Sequence, residues 1–179
     1  MSLVPNSEAS IADFGAIEER IREHGKASDV ILGEEKVRAN AFARLVLDSV
    51  FQVPSDEADE HIVDGGNDRG LDVIYIDHSN RRINLGSCKV ASNIKNSKKN
   101  FPGDEVDKII SFVDDIMLHR ETCFHECNNR LAAKIREIWN IFANEAYSLN
   151  VHLFSNKLPL AEGPRKRLIE ALNRHEAQL

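Results

Sequence analysis

A chain of 179 residues with a net charge of −6 is long enough for one packed domain and too acidic overall to coat nucleic acid indiscriminately. With 42% hydrophobic and 29% charged residues it reads as an ordinary globular protein, and no apolar run approaches the roughly 20 residues that span a bilayer. Three cysteines without a disulfide framework, and no basic segment leading into an apolar signal core, predict a reducing cytoplasm.

Residues 1–9 carry no periodic pattern and read as disordered, with Met1-Ser2-Leu3 given no structural weight. Ile11, Phe14, Ile17 and Ile21 recur at helical spacing and predict a helix from Ile11 to Arg22. Gly25 to Gly33 is a break. A stronger helix follows from Glu34 to Phe51, with Val37, Ala41, Leu45 and Val46 on one stripe, and Pro54 with the acidic run from Asp56 to Asp64 ends it. The pattern then changes. Leu71 to Asp77 is rich in β-branched and aromatic residues and predicts a strand; His78 to Asn80 is a turn; Arg82 to Val90 alternates as a second strand, so the two form an antiparallel hairpin. Ala91 to Gly103 reads as a polar loop. Asp104 to Leu118 is an amphipathic helix with Asp104 as N-cap and Val106, Ile109, Ile110, Val113 and Met117 on its apolar face. A further helix runs from Leu131 to Tyr147, a short strand from Asn150 to Ser155, and a closing helix from Pro164 to Arg174. The last strand needs a long helical crossover to rejoin the sheet. The expected fold class is α/β, a small mixed sheet flanked by helices, with residues 1–33 as an extension bearing a short helix and 34–179 as one globular unit.

The stretch from Ile62 to Lys89 carries the chemistry. Gly65, Gly66, Asp68 and Gly70 form a Gly-rich acidic turn that feeds a strand beginning near Asp72. Strand residues two apart share a face, so Ser87 and Lys89 point the same way. A carboxylate on one strand and an ammonium on its neighbour are the minimum needed to hold a hard cation beside a phosphate and to stabilise the charge that develops there. The plain alternative is a capped turn and a solvated strand end. From His78 to Gly103 the chain has no acidic residue and carries Arg81, Arg82, Lys89, Lys95, Lys98 and Lys99, the pattern of a local polyanion site or of a solvated basic loop.

The order G-x-D-x-G-x-D, apolar strand, turn, apolar strand, x-x-Lys resembles the PD-(D/E)xK, or restriction-endonuclease-like, superfamily. Within it the chain is similar to the N-terminal region of the abortive infection phage resistance (AIPR) proteins. FPGDEVDKIISF, the Trp139 helix and NVHLFSNKLPL extend the likeness over residues 35 to 175. The resemblance implies a restriction-endonuclease-like core, a bacterial anti-phage defence role, and Mg²⁺- or Mn²⁺-dependent DNA cleavage. Asp72 then matches the family's metal ligand and Lys89 its lysine, with Asp68 as a further ligand. Arg81, Arg82, Lys95, Lys98 and Lys99 would meet DNA. Family members are typically longer, so the chain reads either as a fragment whose further domains lie outside it or as a short homologue, and a homodimer is left open. Ser87 departs from the pattern, because the family has Glu, Asp or Gln there. A hydroxyl is a weaker ligand, so the alternative reading is a catalytically degenerate nuclease fold that binds DNA or protein. Related folds draw a carboxylate from the first helix, for which Glu34, Glu35 and Asp48 are the candidates.

Other groups read as structural. His119, Cys123 and Cys127 would share a helical face and suit zinc in kind, but a closed site needs four ligands, so zinc is not expected. Trp139 and Phe142 fall on an apolar face and predict core packing rather than base stacking. Cys88 should face away from Lys89 and has no paired His, and no phosphate-binding Walker loop is present. Arg165, Lys166 and Arg167 open the last helix as solvated cations.

Overall fold

The computed structural model describes residues 10–25 and 33–176. The expectation for residues 1–9 and most of the predicted break at 25–33 lie outside the described residues. Among the described residues no helix is long and apolar enough to cross a membrane.

Helix α1 (Ile11–Glu23) opens with a capping box in which Ser10 and Asp13 satisfy each other's backbone amides. Of its predicted stripe only Ile21 is buried, while Ile11 is exposed; α1 packs chiefly on helix α2 (Glu34–Phe51). The hairpin forms as expected from β1 (Val73–Asp77) and β2 (Arg82–Lys89), antiparallel with Val73 opposite Gly86 and Asp77 opposite Arg82. Strand β3 (Ser148–Ser155) returns parallel to β2, so the sheet order is β1-β2-β3 and the long crossover is present. Residues 61–63 extend the outer side of β1 through bonds from Val63 N to Asp72 O and from Ile74 N to His61 O.

Alternation divides the sheet residues between two cores. Ile74, Ile76, Ile83 and Leu85 face helices α4 (Gly103–Met117) and α5 (Asn129–Asn144), meeting Ile109, Phe112, Ile135 and Ile138. Val73 and Cys88 face the other way, against Phe42, Leu45 and Val46 of α2. Helix α6 (Glu162–Glu176) then covers α4. Within α4, Phe112 and Ile116 join the main core and are fully buried, whereas the predicted Ile110 and Met117 are only partly so.

Several boundaries differ from the sequence expectation, among them β3, which begins two residues early at Ser148, and α6, which begins at Glu162. The polar loop after β2 contains a one-turn helix α3 (Ile94–Ser97), capped by the Asn93 side chain on Asn96 N. Helix α4 begins at Gly103 with Pro102 in the cap position and no side-chain cap, so Asp104 is not the N-cap. Gly103 lies against the ring of Pro164, where a Cβ would come within 2.9 Å of Cγ, and this contact sets the entry of the helix. Helix α5 starts two residues early because Asn128 caps Leu131 N, and it ends at Asn144. Tyr147 leaves the helix to become buried with its hydroxyl on His78.

Candidate active site

The site lies where β1 gives way to the Gly-rich turn. Asp72 immediately precedes β1, and its parity with Ile74 and Ile76 turns its side chain to the α4 and α5 face. Ser87 and Lys89 share parity with Ile83 and Leu85 and so reach the same face. The Lys89 ammonium stands 3.4 Å from Asp72 Oδ2. Ser87, fully buried, donates its hydroxyl to the same oxygen at 3.4 Å. The backbone N–H of Cys88 donates to it at 2.6 Å. Asp72 thus satisfies an amide of β2 that β1, ending at Val73, does not reach. In extended chain the N–H and C=O of one residue point to the same side, so the Cys88 carbonyl faces this edge too. These donors share Oδ2 and leave Oδ1 for another ligand.

A fourth group arrives that spacing did not predict. Glu105, in the first turn of α4, places Oε2 at 3.6 Å from Lys89 Nζ, while its Oε1 accepts from Lys108 at 2.9 Å. The turn before β1 is shaped to admit it. Gly70 has φ +80°, and a Cβ there would lie 3.2 Å from both the carbonyl oxygen and Oε2 of Glu105. Asp68 is spent largely on the turn, accepting from Gly70 N at 2.8 Å and Gly65 N at 3.4 Å. Arg69, at φ +58°, anchors the turn from behind by donating to buried Asp115, to Glu126 and to Ser111.

Burial sets the electrostatics. It pushes the Asp72 carboxyl up to about 6, against the pull of Lys89 and the Cys88 amide and with the help of Asp64 and Asp68. Burial likewise raises Asp68, opposed by its two backbone donors. Burial disfavours the Lys89 ammonium, but Asp72 and Glu105 outweigh it and the lysine is held above its usual value. Cys88 is driven far up by burial and by Asp72, stays a thiol, and faces the α2 core, so it offers no nucleophile.

The donors here are carboxylate and carbonyl oxygens, the set a hard divalent cation takes. Lys89 already fills the role of a cation between two of them. Among the described residues no three His, Cys, Asp or Glu side chains converge on one ion-sized point. Mg²⁺ is compatible with that, because it binds through one or two carboxylates and keeps several waters.

The other predicted residues fall elsewhere. Lys95, Lys98 and Lys99 are exposed on and just after α3, downstream of Lys89. Arg81 and Arg82 sit at the hairpin turn, the far end of β2 from Lys89, and Arg81 lies 4.0 Å from Glu145. The basic residues therefore form two separate patches rather than one. A depression of about 430 Å³, lined by Met117, His119, Phe142 and Tyr147, also opens at the hairpin end and is remote from Asp72. Asp48 is engaged by His24 at 3.2 Å and by Arg20, and Glu34 and Glu35 are exposed at the start of α2, the helix covering the opposite sheet face. His119, Cys123 and Cys127 do not share a helical face: His119 leaves α4 with φ +49°, and Glu121–Glu126 is a 3₁₀ helix. His119 stacks on Trp139, whose indole N–H donates to Ile116 O at 3.0 Å. Trp139 and Phe142 pack against the main core. Arg167 pairs with Asp107 of α4 rather than standing free in solvent.

Glu105 was missed because an acidic residue in a first helical turn is explained by the helix dipole alone. Its approach to Lys89 depends on the path of the loop from Val90 to Pro102, which no local pattern encodes. Comparisons with family models, with curated proteins and with solved structures find no match to this chain. The class defined by fold and site is a mixed α/β protein with a small three-stranded mixed sheet and a desolvated carboxylate–lysine pair at its edge.

Proposed function

We propose that the protein is a metal-dependent nuclease that hydrolyses phosphodiester bonds in DNA, in keeping with its resemblance to the restriction-endonuclease-like AIPR domains of anti-phage defence. The observation that carries this reading is the convergence of Asp72 and Lys89 on one sheet face at 3.4 Å, with the carboxyl pushed up to about 6 by burial. A buried carboxylate left short of compensating charge is suited to receive a cation. Asp72 Oδ1 and the Cys88 carbonyl would hold Mg²⁺ or Mn²⁺, with Asp68 behind them. Bound there, the ion would polarise the scissile phosphate and lower the pKa of an attacking water.

The chain's own residues supply the rest. Ser87 and the Cys88 amide fix the Asp72 carboxylate in place through Oδ2. Lys89, released from Asp72, would orient the water and offset negative charge on the phosphate in the transition state. Lys95, Lys98 and Lys99, exposed on and after α3, would track the DNA backbone.

The test is nicking of supercoiled plasmid in Mg²⁺ and Mn²⁺, together with calorimetric Mn²⁺ titration. Wild type should nick, and Asp72→Asn and Lys89→Met should not. A wild-type protein that neither binds Mn²⁺ nor nicks DNA refutes the enzyme. The second reading, a degenerate nuclease fold kept for binding, is motivated by Ser87, which donates to Asp72 where the family has an acid or amide. Activity that appears only in Ser87→Glu would favour it.

A further inference from the structure

We propose that Glu105 is the second carboxylate of the metal site, standing in from α4 for the acid that β2 lacks at position 87. This rests on the metal-dependent reading above and deepens it.

Three observations carry it. Lys89 bridges Asp72 and Glu105, at 3.4 Å and 3.6 Å, so one cation already ties the two carboxylates together. Glu105 is held inward, its side chain only 15% exposed, although most first-turn acids reach solvent. Gly70 leaves the space Glu105 occupies, since a Cβ at that position would stand 3.2 Å from Oε2. The helix dipole accounts for an acid near the start of α4, and Asp104, exposed beside it, meets that need equally. It does not account for Glu105 turning toward Lys89.

The geometry also explains how Ser87 is tolerated. With the hydroxyl at position 87 donating to Asp72, a second negative oxygen must come from another element, and α4 delivers one. Asp72 and Glu105 would hold the divalent ion in place of the Lys89 ammonium. Lys89 would then be free to face the phosphate.

The experiment is Mn²⁺ binding by isothermal titration calorimetry and by electron paramagnetic resonance of the free ion, in wild type, Asp72→Asn, Glu105→Gln and Glu105→Gln combined with Ser87→Glu. Circular dichroism and thermal melting of each variant show whether it is folded. Glu105→Gln keeps the shape of the side chain and should weaken Mn²⁺ at least about tenfold, as even the outer partners of metal ligands are worth that much. Adding Ser87→Glu should restore part of the loss; should that variant not fold, the Glu105→Gln result alone decides. Wild-type binding that vanishes in Asp72→Asn yet is unchanged in Glu105→Gln overturns the role of Glu105 and leaves the metal site standing. Failure of wild type to bind Mn²⁺ overturns both.

Discussion

Replacing Asp72 with Asn should change how stability depends on pH, and by an amount the site itself sets. In the folded protein the Asp72 carboxyl is pushed from 3.8 to about 6, chiefly by burial. Ionising it in the native state is therefore harder than in the unfolded chain, and at about 1.4 kcal/mol per pH unit the penalty is about 3 kcal/mol. The native state binds more protons than the unfolded chain between about pH 4 and 6, so this penalty grows as pH rises through that window and is complete above it. In acid it disappears. The assay is urea denaturation of metal-free protein from pH 4 to 8, comparing wild type with Asp72→Asn. Carboxylates elsewhere titrate in both proteins and cancel in the difference. Relative to the variant, wild type should gain about 2 kcal/mol on going from pH 7 to pH 4, most of the full penalty. Mn²⁺ should remove most of that dependence, because a cation favours the ionised form and its binding releases the proton. A difference that stays flat with pH would mean that residue 72 titrates like a solvated carboxyl, and the argument for a cation-seeking site would fail with it.

Two further outcomes bear on the frame and on the DNA surface. Gly86→Ala should destabilise the fold by about 1–3 kcal/mol in the same denaturation assay, because its Cβ would fall 2.4 Å from Val73 Cγ2 on the α2 face. A neutral effect would show that β1 and β2 can part without loss. Charge removal at Lys98 and Lys99 should weaken DNA binding at all sequences alike and make the slope of log affinity against log salt shallower by about 1 for each phosphate no longer neutralised. Removal at Arg81 and Arg82, at the other end of β2, should leave that slope unchanged; the reverse pattern would put the DNA at the hairpin end.

The parts of the fold that could be read from the sequence are those whose signal is local. The hairpin was legible because Leu71 to Asp77 is rich in β-branched and aromatic residues and Arg82 to Val90 keeps a period of two after a polar turn, and α2 because its apolar stripe is long. The same parity predicted that Ser87 and Lys89 share a face and that Cys88 turns from it, as they do. Where several partners decide a residue's role, the pattern fell short. The buried face of α4 is wider than the predicted stripe, since Phe112 and Ile116 lie in the main core beside Ile109 and Val113. The grouping of His119, Cys123 and Cys127 assumed a continuous helix, and a single left-handed residue at His119 undoes it. Asp72 was legible as a strand-edge carboxylate but not as the acceptor of the Cys88 amide, since that bond depends on where β1 stops pairing. Glu105 was illegible for the same kind of reason: its meaning comes from the other end of the loop.

The Lys89–Asp72 pair is hard to account for as a stabilising element. Taking the Asp72 charge out of water, with Lys89 half-buried beside it, costs several kcal/mol before their attraction returns anything, and well-packed apolar residues of the same volume often do as well or better. The position is favourable for such residues, flanked on β1 by Ile74 and on β2 by Leu85, both fully buried. The surroundings also fail to complete the compensation. The Asp72 carboxyl remains raised to about 6 even with Lys89 and the Cys88 amide directed at it, because burial outweighs them and Asp64 and Asp68 add a smaller push the same way. A fold optimised for stability alone would remove one of these acids or add a second basic group. Leaving negative charge in excess at a buried sheet edge makes sense when a cation from outside completes the site, and that is the physical ground on which the nuclease reading stands apart from a mere ion pair.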